Sequence, residues 1–315
     1  MNRKAIIISI SGTVLSKNEC KLIKKEKPWG IILFKRNISN VLQTKKLISN
    51  IKKLLNDKYY PILIDEEGGS VSRLSNILDN KIYSQKYFGD LYKKDTKMAL
   101  YLYSNYLLSM ISVFKSIGIN INTSPVLDIL KKNTHKIIGD RSFSSDKEII
   151  HKLGNTSLAL YKKGKIGSVI KHIPGHGSAN SDSHKKLPII KNKLKSLKSS
   201  DFNCFLKKNS FFAMTAHIIY TDIDSFQVAT HSKKIIKKII RKLIGFKGIL
   251  ISDDISMKAL KYDLITNAKL SLSAGCNLAL YCAGNYVDSA KLLKAMPLID
   301  NFTAKKTTEF YNFLR

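Results

Sequence analysis

Several short stretches of this chain combine acids, bases and glycine in ways that suit chemistry. One is Asp65-Glu66-Glu67-Gly68-Gly69, followed by Arg73. Another is Lys171-His172-Ile173-Pro174-Gly175-His176-Gly177, which runs on to Asp182-Ser183-His184. Others are Asp128, Gly139-Asp140-Arg141, Thr215-Ala216-His217 and Ser252-Asp253-Asp254. A histidine two residues from an aspartate is a common way to orient an imidazole and raise its basicity. Gly175–Pro188 is small, flexible and polar, so such a pair could close over a bound substrate. Each feature also has a structural reading. Carboxylates after strands cap helices, His172, His176, His184 and His217 could each be core histidines, and Met214 and Met257 suit core filling. Asp253 and Asp254 are adjacent, so strand alternation lets at most one face a pocket. Parity does not say which.

These stretches follow apolar, β-branched runs. The runs are Ala5–Ile10, Gly30–Phe34, Pro61–Ile64, Ile119–Leu127, Ser168–Ile173, Phe211–Ile218, Gly248–Ile251 and Leu278–Cys282. Unbroken runs of this kind suit parallel strands buried on both faces. Helical periodicity fills the gaps, over Ser39–Asn56, Asp95–Ile117, Ser145–Lys163, Ser232–Ile244, Asp263–Ala274 and Val287–Ala295. The alternation predicts a (β/α)8 TIM barrel in the α/β class, with a doubly wound sheet as the alternative. No Pro- or Ser-rich linker divides residues 1–315, so one catalytic domain is expected. In a barrel all C-terminal strand ends meet on one face, which would bring these stretches into one pocket.

Composition sets the outer limits. The 315 residues are 44% hydrophobic and 24% charged, an ordinary globular balance. No apolar run reaches the roughly 20 residues that cross a bilayer, so no membrane partner is expected. The basic start Met1–Lys4 precedes an apolar stretch too short for a secretory signal. Cys20, Cys204, Cys276 and Cys282 form no CxxC pair and no zinc spacing, which points to reduced thiols in the cytoplasm. The His/Asp stretches lack HExxH or HxH spacing, so no metal is expected. The formal net charge is +31, from 54 basic against 23 acidic residues. Alone, that suggests an anionic partner such as nucleic acid. Only Arg3, Arg36, Arg73, Arg141, Arg241 and Arg315 are arginines, and the lysines are spread over nearly every helix. Nucleic-acid binders more often cluster charge and enlist Arg. A lysine-coated exterior reflecting compositional bias is the preferred reading.

Taken together, the motifs resemble those of family 3 glycoside hydrolases. Ile64–Leu74 is similar to their D-Q-E-G-G-R-V-x-R-L stretch, Ser124–Ile129 to A-P-V-L-D-I, and Ile138–Phe143 to I-G-D-R-S-F. Lys171–His184 resembles K-H-F-P-G-H-G-x-x-x-x-D-S-H of the bacterial β-N-acetylhexosaminidase branch, and Met214–His217 and Ile251–Met257 complete the set. The resemblance covers about residues 5–285. It implies retaining hydrolysis of terminal β-linked N-acetylglucosamine from peptidoglycan turnover fragments, with no cofactor. It implies Asp253 as nucleophile, His184 as acid/base, Asp182 as its support, and Asp65, Arg73, Arg141, Lys171 and His172 as sugar-binding residues. A histidine acid/base with a near-neutral pKa can donate and then accept a proton at little cost. Glu66, Ser70, Thr123 and Ser124 depart from the family pattern at positions that would shape only the pocket wall. A monomer acting on a small-molecule substrate is expected. The competing readings are a non-catalytic, basic nucleic-acid-binding barrel, or a glycosidase or phosphorylase of different specificity.

Overall fold

The computed structural model describes residues 2–131, 138–179 and 187–315. Asp182 and His184 lie outside these, so their expected pairing is not described. Eight parallel strands close into a barrel in the order β1-β10-β9-β7-β5-β4-β3-β2. They are β1 (Lys4–Ile8), β2 (Pro28–Leu33), β3 (Ile62–Ile64), β4 (Ile121–Asn122), β5 (Gly167–Ile173), β7 (Phe212–Thr215), β9 (Ile249–Asp254) and β10 (Leu278–Tyr281). A short parallel pair, β6 (Ile189–Ile190) with β8 (Ile219–Tyr220), stands outside the barrel. The TIM barrel expected from the alternation is therefore the fold.

Each expected strand sits where its apolar run placed it, with two shortenings. The run Ile119–Leu127 keeps only Ile121–Asn122 in the ladder. Pro125 has no N–H to donate, and Thr123 and Ser124 turn their polar side chains to other uses. The run Phe211–Ile218 narrows to β7, and its continuation joins β8 instead.

The expected helices appear as α2 (Val41–Leu54), α4 (Thr96–Ile117), α5 (Lys147–Lys163), α7 (Leu264–Ala274) and α8 (Tyr286–Ala295). Ile235–Leu243 is also helical but follows the wider π pattern. Among the described residues four further α-helices occur: α1 (Lys17–Glu26), α3 (Gln85–Lys94), α6 (Leu194–Ser199) and α9 (Asn301–Leu314). Two of them carry readable local signals. Ser16 and Glu19 form a capping box at the start of α1. Asp300 caps α9, where Thr303, Thr307 and Phe310 recur at helical spacing and are buried.

Side chains divide into two cores. One lies between barrel and helices. The other fills the barrel and includes Ile7, Trp29, Leu63, Ile121, Val169, Phe212 and Ile251. Helix α9 closes the end of the barrel at the strand N-termini. Its Phe310 packs edge-on against Phe212 at 5.0 Å between ring centroids, and Thr307 Oγ1 accepts the Trp29 indole N–H at 2.9 Å. Truncating Phe310 to alanine should leave a cavity at this plug and cost about 3–5 kcal/mol of stability. Denaturant unfolding of Phe310→Ala measures it. A loss under about 1 kcal/mol would show that α9 does not seal the barrel.

Candidate active site

The C-terminal strand ends enclose a cavity of about 420 Å³. Its lining includes Asp65, Arg73, Arg141, Lys171, His172 and Asp253, six of the eight expected site residues. Strand alternation explains how β3 contributes. Asp65 and Glu67, two apart past its end, face the same way and both meet Lys171. The Lys171 ammonium lies 2.5 Å from Asp65 Oδ1 and 2.5 Å from Glu67 Oε1. Glu66 turns to the other side. There it accepts the backbone N–H groups of Gly68, Arg73 and Leu74 and the Asn80 amide, so it clamps the loop that carries Arg73.

The charges form a connected network. Arg73 donates to Asp65 at 2.8 Å. Arg141 grips Glu67 with both Nε and Nη2, at 2.7 and 2.9 Å, the forked geometry only arginine supplies. Burial would raise the Asp65 carboxyl, but Lys171, Arg73 and Arg141 reverse this and hold it well below the usual carboxylate range. Asp65 is therefore ionised at neutral pH and can only accept hydrogen bonds. Thr123 enters this network as well. Its hydroxyl donates to Asp65 at 2.7 Å and accepts from Lys171 at 3.2 Å. The position was expected to shape only the pocket wall, yet it contacts two of the charged residues. The reason is its register at the end of β4, next to β3 and β5.

A second cluster orients the histidines. The Asp128 carboxylate accepts His172 Nδ1–H at 2.7 Å and the His176 backbone N–H at 2.7 Å. Burial would raise Asp128, but His172 outweighs it and the carboxyl is lowered, so it can only accept. His172 Nδ1 is thus the donor, and in the neutral ring Nε2 is left as an acceptor toward Arg141 at 3.5 Å. His176, which could have been a turn residue of no chemical interest, also lines the cavity. Burial lowers its pKa to about 4, so it is neutral at physiological pH. His217 does not line the cavity. It is buried, with Nε2 on the Asp254 carbonyl at 3.0 Å, and holds the end of β9.

Both Asp253 and Asp254 border the cavity, against the expectation that at most one would. Strict alternation relaxes because Asp254 is the last residue of β9, where the chain turns. The two differ in how they are tied. Asp254 accepts the Ser256 N–H and hydroxyl at 3.1 and 2.7 Å and the Cys282 N–H at 3.2 Å, and burial raises its carboxyl. Asp253 accepts the Asp254 N–H at 2.8 Å, while its own N–H donates to Thr215 Oγ1 at 3.3 Å. Asp254 thus serves the turn. Arg36, just after β2, does not line the cavity but ties Ser9 and the Cys282 carbonyl together. Beside it Phe34 does line the cavity, its ring 4.9 Å from the Arg36 guanidinium and 5.2 Å from that of Arg73.

The sequence reading passed over Glu67, Thr123 and Phe34 as site residues and did not assign Asp128 a role. For Glu67 and Asp128 the signal was present, since both follow strands in the motifs. No group of three or more His, Cys, Asp or Glu that could hold a metal occurs among the described residues.

Two tests follow from this geometry. Glu67→Gln leaves Arg141 and Lys171 with too little buried negative charge. It should cost about 3–5 kcal/mol in chemical denaturation and weaken substrate binding. Unchanged stability would mean the network is not held by Glu67. The second test concerns pH. Burial lowers both His176 and His231 to about 4 in the folded state, against 6.5 for an ordinary histidine. The unfolded chain therefore takes up protons first as pH falls. Their contribution to stability is complete above about pH 6.5 and is lost progressively down to about pH 4. Melting temperature should fall across that window, and His231→Asn should flatten the slope. A slope unchanged by that variant would contradict the assignment for His231.

Comparison with known proteins agrees with the geometry. Residues 6–305 match the glycosyl hydrolase family 3 N-terminal domain. The chain is 30% identical over 297 residues to a beta-hexosaminidase of Methylobacillus flagellatus, covering 92% of this chain and 83% of that protein. It is 32% identical over 289 residues to a beta-hexosaminidase of Neisseria meningitidis serogroup C, covering 89% and 78%. In three dimensions it is similar to NagZ from Neisseria gonorrhoeae, solved with N-trifluoroacetyl-D-glucosamine. There the TM-score is 0.88 at 29% identity, covering 98% of this chain and 90% of that one. The chain therefore belongs to glycosyl hydrolase family 3, as a glycoside hydrolase of the β-N-acetylhexosaminidase kind.

Proposed function

We propose that the protein hydrolyses terminal β-linked N-acetylglucosamine from peptidoglycan fragments, N-acetylglucosamine joined to anhydro-N-acetylmuramic acid bearing a peptide, with retention of configuration. The observation that carries this reading is the cavity itself. An acceptor carboxylate, Asp65, flanked by Arg73, Lys171 and Arg141, gives a floor for sugar hydroxyls, and Asp253 stands on the wall of the same space. His172, its Nδ1 committed to Asp128 and its Nε2 toward Arg141, lines the cavity as a further sugar contact. Holding the ring this way supplies orientation, worth several kcal/mol when the reacting atoms are aligned.

The reaction runs in two displacements. Asp253 attacks the anomeric carbon as the glycosidic C–O bond breaks, and His184 gives its proton to the leaving oxygen. A water then attacks the same carbon, His184 takes the water proton back, and the bond to Asp253 breaks. Asp182 supports the protonated imidazole. Asp253 is preferred to Asp254 as nucleophile because Asp254 is spent on Ser256 and Cys282. The protein acts as a monomer in the cytoplasm, without a cofactor.

Release of nitrophenol from its β-N-acetylglucosaminide tests the reading. Asp253→Asn should abolish turnover, and His184→Ala should slow it by about 10²–10⁴. Intact-mass measurement of His184→Ala with this activated substrate should show a sugar adduct on the protein. Full activity in Asp253→Asn would remove the nucleophile assignment. Turnover that requires added phosphate would point to a phosphorylase.

A further inference from the structure

The barrel concentrates charge in a way the linear sequence does not display. The barrel strands are parallel, and the helices that connect consecutive strands return antiparallel to them. Helix C-termini therefore gather at the end opposite the cavity. Helices α1, α2, α4, α5 and α8 and the Ile235–Leu243 helix all carry lysine or arginine in their last turns. The basic last turns of these helices are thus collected at one end. The acids of the described residues at that end are Glu26, Asp57, Asp300 and Glu309. All but Asp300 are paired with cations of the same region.

One side of this face is also apolar. Leu243, Leu298 and Phe302 are 37%, 52% and 42% exposed at this end, as are Lys242, Lys247, Lys294 and Lys305, and the Arg241 guanidinium lies 5.7 Å from the Phe302 ring centroid. Phe302 and Arg241 flank a cleft of about 560 Å³ whose lining includes Lys247, the Glu309-paired Lys306 and Asp300. The Arg241 guanidinium is committed to the Phe246 and Gly248 carbonyls and to Asn277, so it is not available to grip a phosphate in a fork. A polynucleotide groove would want forked donors and would gain nothing from exposed leucines. Point charges mixed with protruding apolar side chains fit a lipid interface, where the apolar groups enter the headgroup layer and the ammonium groups stay at the phosphates.

We propose that this end of the barrel docks on an anionic phospholipid surface, through the exposed Leu243, Leu298 and Phe302 and the exposed Lys242, Lys247, Lys294 and Lys305. No helix among the described residues is long and apolar enough to cross a membrane, so the contact is peripheral. The cavity lies at the far end and opens away from the lipid, so soluble substrates keep access.

The test is co-sedimentation of the full chain with phosphatidylcholine vesicles, with and without phosphatidylglycerol. The protein should partition only onto the anionic vesicles, and salt should reverse it. Each Lys→Gln at positions 242, 247, 294 and 305 should weaken partitioning about fivefold. Phe302→Ser should weaken it further, while hydrolysis of a soluble glycoside stays unchanged in all these variants. Lys17, Lys97, Lys152 and Lys233, exposed at or toward helix N-termini and so away from this end, provide the control set. An equal loss from the control quadruple Lys→Gln would show an effect of net charge alone and overturn the proposal. So would no partitioning, or retention on duplex DNA through the same four lysines without vesicle binding.

Discussion

The site depends on one buried ammonium. Lys171 stands between Asp65 and Glu67, and Glu67 in turn holds Arg141. Removing such charges from water costs several kcal/mol per ion, recovered only when every partner is in place. The strands that bring these partners are β3 and β5, with β4 between them supplying Thr123. Closure of the barrel is therefore what makes the network possible, and the network fixes where a sugar ring could rest. An isolated strand could not hold any one of these charges.

The same logic explains the division of labour between neighbours in sequence. Asp65 faces the cavity, Glu67 holds Lys171 and Arg141 from behind it, and Glu66 holds the loop. Asp253 faces the cavity while Asp254 holds the turn after β9. Asp128 never lines the cavity, yet it accepts from both His172 and His176 and so decides which nitrogen of His172 points toward Arg141. These supporting groups are as buried as the ones they serve, which is how a polar site keeps a single arrangement.

Much of this was legible in the chain. Continuous apolar runs located all the barrel strands, because strands buried on both faces need no alternation. The residues just after them formed the cavity, since parallel strands share one C-terminal end. What escaped was set by contacts between distant segments. Thr123 looked like a wall substitution because its register beside Asp65 appears only on pairing. Helix α9 was missed although its cap and spacing were visible, because its role as a plug depends on a barrel end that sequence does not show. The net charge of +31 showed no spatial pattern in the chain. The basic last turns of helices α1, α2, α4, α5 and α8 share one end of the barrel, which only the fold displays.

The central claim is that the Asp65–Lys171–Arg73 floor holds the sugar and presents its anomeric carbon to Asp253. A crystal structure of the protein with bound N-acetylglucosamine, or a non-hydrolysable analogue of it, tests this most directly. The account predicts the ring hydroxyls on Asp65, Arg73 and Lys171, with the Asp253 carboxylate nearest the anomeric carbon. A ring bound away from that floor, or with its anomeric carbon over Asp254, would contradict it.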